Sequence, residues 1–164
     1  LTPGGKIIIF SQWELVLRII AKALKANNVH HAAMLSSRQA NQRALSTFKT
    51  LPGVRVLLLP VKSGSNGLNL IEATHVFLAE PLLNPAAEAQ ALGRIHRIGQ
   101  TRPTFVHRYV VQNTVEESIA KLMAKKKGLM NVSLEEGDVS GWGAQKSERD
   151  VLTANDLWEC FCMH

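Results

Sequence analysis

Lys6-Ile7-Ile8-Ile9-Phe10, followed directly by Ser11-Gln12-Trp13-Glu14, sets the class of fold. A short unbroken apolar run rich in β-branched residues predicts a strand buried on both faces, as in parallel sheets. Ser11 with Glu14 three positions on predicts a capping box that opens a helix. Trp13, Val16, Leu17, Ile20, Ala23 and Leu24 supply its apolar stripe, which ends near Asn27-Asn28. Val29 to Leu35 predicts a second, weaker strand. Ser36 and Gln39 predict another capping box, with Ala40, Ala44, Leu45 and Phe48 lining a second helix. Pro52-Gly53 is a turn, and Val54 to Leu59 reads as a third strand. Strands and helices alternating through short links imply right-handed crossovers and a parallel sheet covered by helices. His75 to Ala79 and Thr104 to Val111 predict two further strands. Val115, Ile119, Leu122 and Met123 line a last helix, with Thr114 and Glu117 as its capping box, and it runs into Lys125-Lys126-Lys127. The expected class is α/β: three layers, a mainly parallel central sheet flanked by helices, and a C-terminal helical tail.

Composition narrows the function. The 164 residues suit one domain with an appendage. There is no apolar run long enough to span a membrane. Leu1-Thr2-Pro3-Gly4-Gly5 is breaker-rich and resembles no secretory signal; it suggests a cut inside a longer chain. Two neighbouring cysteines, Cys160 and Cys162, build no disulfide framework, which implies a reducing compartment. Charge is split along the chain. Residues 1–127 carry 17 Lys+Arg against 6 Asp+Glu, a formal +11, and residues 128–164 carry 2 against 7. A basic body suggests a polyanionic partner. From Gly128 to about Asp150, Gly, Ser and acidic residues predict a loose link, and Thr153 then caps a short helix.

Two stretches point to chemistry. In Gln90-Ala91-Leu92-Gly93-Arg94-Ile95-His96-Arg97-Ile98-Gly99-Gln100, Asn84-Pro85 predicts the helix start and Gly99 the stop. Gln90, Arg94 and Arg97 then project from one helix face, within about 60° of each other. Ala89, Leu92 and Ile95 face the sheet. Two guanidinium groups aimed together suit an anion held in fixed geometry, such as a transferring phosphoryl group; a solvated basic face is the alternative. His96 reads as a packing or hydrogen-bonding residue. In Pro60-Val61-Lys62-Ser63-Gly64-Ser65-Asn66-Gly67-Leu68-Asn69-Leu70, Gly64 and Gly67 would let backbone approach a phosphate or ribose, or simply form a turn. Both stretches follow parallel strands, so both open on one sheet edge. Neither a dinucleotide fingerprint nor a phosphate-binding P-loop is present. That edge lacks the phosphate-cradling Lys, an acidic magnesium site and a water-orienting carboxylate. The implied object is half a site, completed by another domain or chain.

The span from Lys6 to about Lys127 resembles the second RecA-like lobe of SNF2-type ATPases, the superfamily 2 DNA translocases. Lys6–Trp13 is similar to motif IV of that family. Val56–Leu70 is similar to motif V, ending in Gly-Leu-Asn-Leu, and Gln90–Gln100 to motif VI with its Arg-x-His-Arg-Ile-Gly-Gln. Leu152–Leu157 resembles the tail of the subgroup that carries a RING ubiquitin-ligase module between its lobes. The resemblance implies a lobe at 1–127, an acidic linker at 128–150 and a C-terminal helix at 151–164. It implies Arg94 and Arg97 as arginine fingers with Gln90 as their motif partner. Gly64, Gly67 and Asn69 would lie near ATP, and Ser11, Gln12, Lys62 and Ser63 would face the DNA backbone. It further implies ATP with Mg2+, the metal held by the first lobe and none by this chain. The implied partners are double-stranded DNA or nucleosomes, the first lobe, and a ubiquitin-conjugating enzyme through the RING, in the nucleus. The fragment alone would be inactive. A binding module with a degenerate ATPase that positions the ligase is the alternative, and a free-standing nucleotide enzyme a more distant one. Pro60-Val61 stands where the family usually has Ser-Thr, Ser65 for Gly, Glu80-Pro81-Leu82-Leu83 for Asp-Pro-Trp-Trp, and Gly93 where many members have Asp.

Overall fold

The computed structural model describes residues 5–66 and 68–135. Five strands alternate with helices: β1 (Lys6–Ser11), α1 (Glu14–Ala26), β2 (His31–Ala33), α2 (Arg38–Thr50), β3 (Val56–Pro60), β4 (Ala73–Leu78), α3 (Pro85–Leu92), β5 (Phe105–Arg108) and α4 (Val115–Glu135). A 3-10 segment, Val61–Asn66, follows β3. The strands form one sheet in the order β2-β3-β1-β4-β5, and every pairing is parallel. This is the expected RecA-like α/β architecture. The chain divides into two compact units, Leu1–Glu80 with Ala86–Tyr109, and Pro81–Pro85 with Val110–His164.

The central strands are apolar because both of their faces are covered. Ile8, Phe10, Leu57, Leu58, Leu59 and Val76 have no exposed surface. Leu17 of α1 packs on Val56 and Leu58, with Ile7, Ile9, Ile20 and Leu24 around them. Phe48 anchors α2. Lys6 closes that helix: its Nζ donates to the carbonyl oxygens of Phe48, Lys49 and Leu51. A cation there satisfies C-terminal carbonyls and complements the helix dipole. Burial lowers the pKa of this amine, while nearby Glu72 raises it.

Along β4 and β5 the rings of Phe105, His75, His107, Phe77 and Tyr109 stack in a ladder, with centroids 4.4 to 5.9 Å apart. The parallel register sets His75 beside Phe105 and Phe77 beside His107, so the ladder follows from strand pairing. His75 Nδ1 lies 3.2 Å from His107 Nε2.

Several local expectations need correction. Trp13 is exposed, as are Ala23 and Ala40, so they do not share in the core stripes. Ser11 closes β1 instead of capping α1, whose N-cap, Trp13, makes no side-chain cap bond. The α2 cap is Ser37, one residue later than expected; its Oγ accepts from the Ala40 N–H. Thr114 does cap α4, accepting from the Glu116 N–H, but Glu116 takes the reciprocal role by accepting from the Val111 N–H. The second and fifth strands are shorter than the apolar runs that announced them. In the second unit, Leu122 and Met123 form a cluster with Val115 and Ile119, the stripe foreseen for α4. That helix continues past Lys127 to Glu135, through residues whose composition suggested a loose link. The rest of that link and the tail helix lie outside the described residues.

The largest correction concerns α3, which ends at Leu92 and not at Gly99. The Gly93 N–H still bonds to the Ala89 carbonyl, but the chain then tightens through Arg94 N–H to Ala91 O, Ile95 N–H to Leu92 O and Gln100 N–H to Arg97 O. The Arg94 carbonyl goes instead to the Leu70 N–H, 3.0 Å away. A bond across the fold thus takes the carbonyl that a continuing helix would have used. Arg94 and Arg97 lie on a run of turns. Ile95 is fully buried as expected, but Ala91 and not Ala89 is the buried alanine of the helix.

Candidate functional site

Because all five strands run the same way, their carboxyl ends share one edge. The connection after β1 leads toward β2 and β3, while that after β4 leads toward β5, so neighbouring strands β1 and β4 diverge. Ligands of open α/β sheets bind at such a switch point. Ser11 pairs with Pro60 across β1 and β3, which brings Gln12 and the 3-10 segment out of the sheet at one level.

The Glu80 carboxylate occupies the switch point. Its Oε1 accepts from the Ser11 hydroxyl at 3.1 Å and from the Gln12 N–H at 2.5 Å. Ser11 Oγ also accepts from the Trp13 N–H at 3.0 Å. Ser11 has no exposed surface. It was expected to face DNA, but its hydroxyl is committed inward, where it braces the end of β1. Gln12 remains half-buried. Glu80 Oε2 is shielded and has no hydrogen-bond partner among the described residues.

On the other side of the edge the two predicted stretches meet. The Leu70–Arg94 backbone bond joins the end of the Gly-Leu-Asn-Leu segment to the arginine segment. Asn69 is exposed beside it, and Leu70 is fully buried as its anchor. Arg94 is half-buried, its Nε shielded and without a hydrogen-bond partner among the described residues. Arg97 and Gln90 are exposed. Neither guanidinium enters an ion pair among the described residues. Gly64 lies in the 3-10 segment, and Gly67 falls outside the described residues. Lys62 is exposed on that segment. Ser63 lines a cavity of about 680 Å³ together with Met34, Arg38, Asn41, Gln42, Leu45 and Leu68. Among the described residues no three His, Cys, Asp or Glu are grouped to ligate a metal, and no helix is long and apolar enough to cross a membrane.

Three contributors escaped the sequence reading. Glu80 drew notice only as a departure from a family pattern. Glu88 is 5% exposed, yet its Oε1 accepts two bonds from Arg108, at 2.9 and 2.7 Å, tying α3 to β5. Gln100, the last residue of the quoted motif, sends Nε2 to the carbonyls of Ile71 and Ala73. Partners 20 and 27 or more residues apart leave no local periodic signal.

Residues 1–99 match the family described as helicase conserved C-terminal domain. The chain belongs to that family, and it is the C-terminal lobe of an SNF2-type ATPase. It is 48% identical over 160 residues to the human E3 ubiquitin-protein ligase SHPRH, covering 97% of this chain and 9% of that protein. It is 44% identical over 123 residues to the fission yeast (Schizosaccharomyces pombe) DNA repair protein rad8, covering 74% of this chain and 11% of that protein. Among solved structures, the C-terminal part of the Fun30 ATPase domain superposes with a TM-score of 0.70 at 26% identity, over 74% of this chain and 39% of that one. The chain thus spans a small part of the curated relatives it matches.

Proposed function

We propose that this lobe completes the ATP site of a DNA-dependent SNF2 motor by supplying Arg94 and Arg97 to the transferring phosphoryl group, with Gln90 beside them. The observation that carries this is Arg94: a half-buried guanidinium whose Nε is shielded from water and lacks a hydrogen-bond partner among the described residues. Such a group gains most from an anion brought to it. Asn69, pinned next to Arg94, and the backbone at Gly64 and Gly67 contribute to nucleotide contacts. Gln12, Lys62 and Ser63 face the DNA backbone. The phosphate-cradling Lys and the Mg2+ ligands come from the first lobe, so this chain alone does not turn over ATP. In the whole protein a RING module recruits the ubiquitin-conjugating enzyme, and the assembly works in the nucleus on double-stranded or nucleosomal DNA. Support for this setting comes from the relatives named above, a ubiquitin ligase and a DNA repair protein.

The test is DNA-stimulated ATP hydrolysis by the intact protein carrying Arg97→Ala or Arg94→Ala. Removing a finger costs transition-state stabilisation, so turnover should fall by about a thousandfold or more, while ATP binding changes little. Undiminished turnover in both variants would refute the assignment.

A further inference from the structure

We infer that Gln100 is the positioning residue that holds the arginine segment in its working geometry; this rests on the proposed role of Arg94 and Arg97. Three observations meet at this residue. Its Nε2 donates to the Ile71 carbonyl at 2.9 Å and to the Ala73 carbonyl at 3.0 Å, where the chain enters β4. Its Oε1 accepts from the Arg102 N–H at 3.1 Å, so both ends of the amide are used. Its own N–H closes a turn onto the Arg97 carbonyl at 2.9 Å.

The arginine segment therefore has two ties to one stretch. Leu70 holds it at Arg94, and Gln100 holds it six residues later, on Ile71 and Ala73. Between these ties the chain is a run of turns: His96 N–H bonds to the Leu92 carbonyl and Arg97 N–H to the Ile95 carbonyl, but no regular helical ladder continues. Gly99, with φ +105°, makes the reversal that lets Gln100 reach back, and a side chain there would be strained. Arg97 is exposed, so its direction depends on how its backbone is anchored. A primary amide suits this place: it is uncharged, and it presents two donors and an acceptor on one rigid plane. Neither Glu nor Met does that.

Gln100 touches neither nucleotide nor the reacting atoms in this account. It acts through Arg97, and a displacement of about 1 Å at a reacting group can cost a hundredfold in rate. The experiment uses the intact two-lobe protein with Gln100→Met, Gln100→Glu, Arg97→Ala and the Arg97→Ala/Gln100→Met double variant. DNA-stimulated kcat, KM for ATP, melting temperature, ADP binding and trapping of ADP with fluoroaluminate are measured on each. In both Gln100 variants kcat should fall by about ten- to a hundredfold. KM and ADP binding should hold within about threefold, and fluoroaluminate trapping should weaken, because that complex needs the arginines aligned. In the double variant Gln100→Met should add nothing to Arg97→Ala. Wild-type kcat in Gln100→Met beside a crippled Arg97→Ala overturns the inference and leaves the arginine assignment standing. Independent, multiplying losses in the double variant overturn it too, as does a loss of activity matched by loss of folding in both Gln100 variants. Normal turnover in Arg97→Ala would instead remove the reading on which it rests.

Discussion

Arg94 shows how much one side chain's surroundings decide. As a sequence symbol it is a cation on a basic stretch. In the fold it is half-buried, with a shielded Nε that has no hydrogen-bond partner among the described residues, and a carbonyl fixed by Leu70. A buried donor without an acceptor costs stability unless a ligand supplies one. His75 is the second informative residue. It is buried in the ring ladder, and burial, followed by the neighbouring His107, holds its pKa below the ordinary 6.5. The unfolded chain therefore takes up the proton first as pH falls, so stability rises with pH. The His75 contribution should be complete above about pH 6.5 and lost as pH falls through that value toward the lowered folded one. Replacing His75 with Phe keeps a ring in the ladder and removes the titration. Between about pH 7.5 and about pH 5.5 the melting temperature of His75→Phe should drop less than that of the wild type. An equal drop in both proteins would place the acid sensitivity elsewhere.

At the scale of elements, α3 and β5 illustrate how position is enforced. α3 is eight residues long and leads directly into the arginine segment. An isolated helix of that length has little stability of its own. It is held by packing at Ala91 and by the ion pair of Glu88 with Arg108, which is about half exposed while Glu88 is nearly covered. Removing Arg108 would take two charge-assisted hydrogen bonds away from a nearly covered carboxylate. Arg108→Ala should destabilise the lobe by about 2 kcal/mol, read as a shift in the urea midpoint without a change in slope. Arg18→Ala provides the contrast. The Arg18–Glu14 pair on α1 is more than half exposed on both sides, so that variant should melt almost like the wild type. The helix starts teach a related lesson. Short polar residues near each start were easy to read, but Ser11 turned to Glu80, and the α2 cap moved to Ser37. A capping box competes with every other acceptor the folded chain presents, and sequence spacing does not reveal those acceptors.

For the whole molecule, charge is the property that travels furthest. Residues 136–164 carry 6 acidic and 2 basic side chains, so their removal raises the formal charge from +6 to +10. Phosphate binding is driven by counterion release and follows such charge closely. A chain ending at Glu135 should bind duplex DNA more tightly at low salt than the 164-residue chain, and the difference should shrink as salt is added. Equal affinities at low salt would show that the acidic residues do not oppose DNA. The departures at Pro60-Val61 and Glu80 lie at the edge where DNA contacts are proposed.

The sequence by itself determined the alternation of strands and helices, the parallel sheet, the apolar stripes centred on Leu17, Phe48 and Leu122, and the family. Those features are local and periodic, or consist of contiguous motifs, so each is carried by residues near one another in the chain. Only the tertiary structure decided that α3 stops at Leu92, that Ser11 is spent on Glu80, and that Gln100 ties the arginine segment to β4. In each case a backbone or side-chain polar group had two possible partners. The distant one is engaged because the packed core brought it within 2.5 to 3.1 Å, at Ser11 in addition to the local Trp13 N–H, and a buried polar group takes the partners the fold puts in reach.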